Sequence, residues 1–118
     1  MNLSNRDYQI LKHVIRYCEK IQCTIDRFGG DLETFVSDPD YRDSVGMNLL
    51  QIGELAGKLS AAYVGSSTQN WRAIKNMRNM FAHDYGSMDV ERIWDTAIAD
   101  IPMLMDACRK DLESQSPL

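Results

Sequence analysis

Residues 11 to 28 read LKHVIRYCEKIQCTIDRF. Leu11, Val14, Cys18, Ile21, Ile25 and Phe28 recur at steps of three and four, with polar and charged residues between them. An α-helix turns about 100° per residue, so this spacing gathers the apolar side chains into one stripe along a helix. A half-buried strand would instead alternate at every second residue. Ser4 with Asp7 resembles a capping box at the start of the helix, with Asp in place of the usual Glu. Gly29-Gly30 ends it. His13 lies off the stripe and is read as a surface residue.

The same grammar continues outward. Asp31 can cap a short turn carrying Leu32, Phe35 and Val36. Asp38-Pro39 reads as an N-cap followed by proline at the first helical position. From there one helix is expected from about Pro39 to Val64, with Val45, Leu49, Ile52, Ala56, Leu59 and Tyr63 inward. Gly46, Gly53 and Gly57 form a second, small stripe on it. Each costs about 1 kcal/mol against Ala in a helix interior. Another helix, a second subunit or a ligand could come close there, and Glu54 sits beside this face. Asn70 caps a fourth element with Trp71, Ile74, Met77 and Phe81 inward. Asp89 caps a last helix from about Val90 to Leu112, and Pro102 inside it should kink it and free the carbonyl of Ile98. The pattern predicts one domain over residues 1–113 with a frayed tail over 114–118, and an all-α fold: an up-and-down bundle of four to five helices.

Composition narrows the function. The chain has 118 residues, 44% of them hydrophobic and 25% charged, as expected for a soluble globular domain. The N-terminus lacks the apolar core of a signal peptide, and no apolar run reaches membrane-spanning length. A cytoplasmic protein without membrane contact is expected. Cys18, Cys23 and Cys108 are odd in number and lack C-x-x-C spacing, which reads as reduced, mostly buried thiols. His13 and His83 are the only histidines, and no ligand spacing for a metal is present; no cofactor is expected. The net charge of -4 argues against broad nucleic-acid binding, so any RNA site must be a local patch. Arg72, Lys75 and Arg78 supply one, at steps of three on neighbouring parts of a helix surface.

The densest chemistry lies in Arg78-Asn79-Met80-Phe81-Ala82-His83-Asp84-Tyr85. A guanidinium fork fits phosphate oxygens, and an imidazole moves protons near neutral pH. Arg78 and His83 are five residues apart, about 140° around a continuous helix. They can share a site if the helix ends near His83, where Gly86 follows, or if a second subunit contributes the partner. The same Arg and His could also serve only to cap carbonyls at a helix C-terminus.

These residues resemble those of the HepT-like proteins of the HEPN superfamily. Gln51-Ile52-Gly53-Glu54, then Trp71-Arg72 and Ile74, then Arg78-Asn79 with His83 and Tyr85 carry the resemblance, in order along most of the chain. The family motif is Arg, four to six residues, His, any residue, Tyr, and Arg78, His83 and Tyr85 fit it. The resemblance implies a homodimeric HEPN-like bundle acting as a metal-independent endoribonuclease, the toxin of a toxin–antitoxin pair. Its antitoxin would be a minimal nucleotidyltransferase (MNT) that adenylylates Tyr85.

The residues agree chemically with that implication. A 2′-OH attacking its own phosphodiester needs a base, an acid and a cation for the phosphorane charge. One chain offers one plausible imidazole; a dimer juxtaposing two motifs offers two, in a composite groove. His83 would move protons and Arg78 would hold the phosphate. Asn79 and Glu54 would support them, with Arg72 and Lys75 binding RNA. The alternative is a noncatalytic nucleotide-binding or adaptor bundle that partners a nucleotidyltransferase.

Overall fold

The computed structural model describes residues 3–82 and 89–114, with residues 80–82 described for their backbone alone. The described residues are helical, with no strand among them. Three long rods carry the fold: α1 (Asn5–Phe28), α3 (Pro39–Ala56), and a continuous helical run of α7 (Val90–Asp95), a π-helical turn (Thr96–Asp100) and α8 (Ile101–Ser114). Short helices link and cover them: α2 (Leu32–Ser37), α4 (Ala61–Ser66), α5 (Trp71–Lys75) and α6 (Met77–Ala82). α1 packs against both α3 and α8, and α5 and α6 lie on α3.

The caps fall where local chemistry puts them. Ser4, Asp31, Asp38, Asn70 and Asp89 each accept a backbone N–H from the first turn of the helix that follows. α1 buries Leu11, Val14, Cys18 and Ile21, and leaves His13 exposed. Gly29 closes α1 at φ 106°, a left-handed conformation that glycine adopts without strain. Its carbonyl accepts a 2.8 Å hydrogen bond from the Tyr41 hydroxyl. Tyr41 is buried among Phe28, Phe35 and Trp94, at ring-centroid distances of 4.9, 5.0 and 6.0 Å. Cys18 and Cys108 are buried and free; Cys23 is exposed and free. Burial pushes the Cys18 thiol up to about 12, which makes it a packing residue.

The single helix expected from Pro39 to Val64 is broken. α3 stops at Ala56: the Gly57 N–H still reaches the Gly53 carbonyl at 3.2 Å, and the Lys58 and Leu59 N–H groups then tighten the chain onto the carbonyls of Leu55 and Ala56, three residues back, at 3.0 and 3.3 Å. Leu59 and Tyr63 are nonetheless buried, as the apolar spacing requires. The reason for the break is Ser60. Its backbone is extended (φ -66°, ψ 150°), and its N–H and hydroxyl both donate to Asp7, at 2.9 and 2.6 Å. The Ser60 Oγ also accepts from the Tyr63 N–H and so caps α4. A helical Ser60 could not make these bonds. The capping box at Ser4 is accordingly one-sided: Ser4 accepts the Asp7 N–H at 3.0 Å, while the Asp7 side chain turns to Ser60. Asp7 is 2% exposed. Burial alone would raise its carboxyl. Hydrogen bonds from Ser60 and Ser4, with the charge of Arg6, outweigh that and hold it below its usual value.

Pro102 acts through the ladder ahead of it. It has no N–H for the Ile98 carbonyl, and in a regular helix its ring would collide with that carbonyl. The turn at Thr96–Asp100 widens to π-helical geometry, with the Ile101 N–H reaching the Thr96 carbonyl. The Thr96 hydroxyl also bonds back to the Arg92 carbonyl at 2.9 Å.

Candidate functional site

The fourth element of the sequence reading is two helices. α5 ends at Lys75, Asn76 makes a tight turn, and α6 begins at Met77. The Asn79 N–H bonds the Asn76 carbonyl at 2.9 Å across that turn. Trp71, Ile74 and Met77 are buried toward α3, and Arg72, Lys75, Arg78 and Asn79 are exposed. The apolar spacing thus sorts cations from core even where the helix breaks.

α6 is seated on α3 at Gly53. A Cβ built there would stand 2.6 Å from the Arg78 backbone nitrogen and 3.0 Å from the Lys75 carbonyl oxygen. Gly53 is therefore a packing glycine within the chain, which accounts for its part of the small stripe without a second subunit. One residue on, Glu54 forms an ion pair with Arg78 through the guanidinium Nε. Both side chains are about half exposed, so the pair orients more than it stabilises. It engages the inner corner of the fork, and an end-on bidentate phosphate contact uses the two terminal nitrogens.

Around this pair lies a hollow of about 220 Å³, lined by Gly53, Glu54, Gly57, Lys58, Lys75, Asn76, Arg78 and Asn79. Three cations share it with one carboxylate, and that carboxylate is engaged by Arg78. In a chain of net charge -4, this is a local surface suited to an anion. Arg78, Asn79, Glu54 and Lys75, all singled out in the sequence, meet here. Arg72 lines the adjacent hollow. Lys58 was missed because it reads as one more solvated charge on a continuous helix. Its signal is its place beside Gly57, where that helix ends. His83 and Tyr85 lie outside the described residues.

Residues 11–110 match the protein family described as ribonuclease HepT-like. A protein of Caldanaerobacter subterraneus subsp. tengcongensis, named "Putative RNase", is 28% identical over 107 residues, spanning 89% of this chain and 93% of that protein. No solved structure matches the chain.

Proposed function

This chain belongs to the ribonuclease HepT-like family, and on that premise we propose that it is a metal-independent endoribonuclease, the toxin of a toxin–antitoxin pair. The observation that carries the reading is Arg78, exposed at the rim of a hollow it shares with Lys58 and Lys75, at the head of the Arg78–His83–Tyr85 motif. Arg78 holds the scissile phosphate through its terminal nitrogens while Glu54 fixes its Nε corner. Asn79 orients the phosphate. His83 takes the 2′-OH proton or delivers one to the leaving 5′-oxygen. A homodimer that brings two motifs together supplies the second imidazole. The partner is a nucleotidyltransferase antitoxin that adds AMP to Tyr85, placing bulky anions where RNA phosphates bind.

The test is to incubate the purified protein with RNA in EDTA and analyse the new ends. Cleavage should persist and leave 2′,3′-cyclic phosphates, and all-DNA substrates should stay intact for want of a 2′-OH. Loss of cleavage in EDTA, restored by a divalent metal, would overturn the mechanism.

A further inference from the structure

The hollow at Glu54–Arg78 does not end at Lys75. It shares Gly57, Lys75 and Asn76 with a second hollow of about 640 Å³, whose wall includes Leu59, Ala61, Val64 and Arg72. The first hollow is cationic. The second is mixed: Leu59, Ala61 and Val64 share its lining with Arg72, Lys75 and Asn76.

Gly57 lies between the two, and neither backbone nor packing demands glycine there. Its φ of -67° and ψ of -13° are ordinary right-handed values open to any L-residue. A Cβ would meet the Lys75 side-chain carbons at 3.4 and 3.7 Å, the yielding end of a flexible chain, and the Glu54 carbonyl oxygen at 3.5 Å, an ordinary contact. Gly53 is the contrast, where a Cβ would strike backbone at 2.6 Å. A side chain at 57 would instead project among the residues that line both hollows.

We propose that these adjoining hollows hold the nucleotide next to the one that is cut, with its phosphate on Lys58 and Lys75 and its base against Ala61 and Val64 beside Arg72. The inference rests on the ribonuclease reading and extends it to the path of the strand. The chemistry of single-stranded nucleic acid fits both halves. Cations track the backbone, and bases settle on apolar or planar surfaces, including the face of a guanidinium. Duplex RNA buries its base faces in the helical stack, so a base held against Ala61, Val64 and the Arg72 guanidinium comes from an unpaired strand. A purely structural role for Lys58 and Lys75 competes with this. Both stand near the C-terminal end of α3, where cations complement the helix dipole.

Binding of a fluorescein-labelled, ten-nucleotide 2′-O-methyl RNA separates the two. This probe binds without being cut, so the result does not depend on nuclease activity. K58Q/K75Q should weaken binding severalfold and reduce the slope of log affinity against log salt by about 0.7, the value of one single-strand phosphate contact. G57L keeps every charge and should also weaken binding severalfold. R72K keeps the charge but loses the plane. It should weaken RNA binding about fivefold or more, with competition by inorganic polyphosphate unchanged. Variants that bind like wild type at every salt concentration would overturn the groove, as would a K58Q/K75Q protein that loses melting temperature with no change in salt slope. If wild type cleaves RNA and the variants bind unchanged, the groove is wrong and the nuclease reading stands. If wild type cleaves no RNA and the variants lose binding as described, the nuclease reading fails and the groove stands only as a site for single-stranded RNA.

Discussion

Gly53 and Arg78 meet backbone to backbone: a Cβ on residue 53 would fall 2.6 Å from the Arg78 nitrogen. The side chain that carries the proposed chemistry is thus positioned by an absent side chain on α3. Gly53→Ala should force α6 outward at a cost of about 1–3 kcal/mol. A thermal melt followed by circular dichroism should show a midpoint lowered by roughly 4 °C or more. An unchanged midpoint would mean that α6 is not held where it lies.

Arg78→Ala and His83→Ala should each abolish RNA cleavage and toxicity on expression. Arg78 is half exposed, and its ion pair with Glu54 is worth at most about 1 kcal/mol, so the R78A fold should survive. Both variants are to be assayed on RNA after their melting curves are shown to match wild type. Cleavage at the wild-type rate by both would remove the assignment.

Asp7 links stability to pH. Its folded carboxyl lies below the unfolded value of about 3.9, so its contribution is complete above that value. The contribution is lost as pH falls through the lower folded value. Asp7→Ala leaves the Ser60 N–H and hydroxyl without their acceptor and should cost about 1–3 kcal/mol at pH 7. Urea unfolding of both proteins should show a gap that is constant between pH 5 and 7. The gap should shrink below about pH 4, and one that widens in acid would contradict the depressed carboxyl.

Tyr85→Phe keeps the ring and removes the acceptor oxygen for AMP. Incubated with the neighbouring nucleotidyltransferase, ATP and magnesium, wild type should gain the mass of AMP and the variant should not. Equal mass gain on both proteins, read by intact mass spectrometry, would exclude Tyr85.

What was legible in the sequence was local. Ser4, Asp31, Asp38, Asn70 and Asp89 each bond within three residues, so their caps could be read directly. Apolar spacing identified Val45, Leu49, Ile52, Leu59 and Tyr63 as core even across a break it did not reveal. The break is fixed by Asp7 bonding Ser60, 53 residues away; Ser60 also caps α4 locally, but the unbroken apolar spacing across Gly57 masked that cap. The Glu54–Arg78 pair was half legible: both residues stood out, but their meeting depends on how α6 crosses α3. Lys58 had no signal until α3 was seen to end beside it.

The widened turn at Thr96–Asp100 gives the last rod one residue of slack. Deleting a residue from an ordinary helix swings everything downstream by about 100° and turns a buried face toward solvent. Here the deletion can be absorbed by closing the π turn to normal pitch, which leaves Leu104 and Cys108 aimed at the core. This rod should therefore tolerate losing the exposed Ala99 far better than losing a residue from α1, at the cost of crowding Pro102. Melting curves of the two single-residue deletions would show the difference, and equal collapse of both would deny it. A turn of this kind is a place where chain length can change by one without the fold being redrawn.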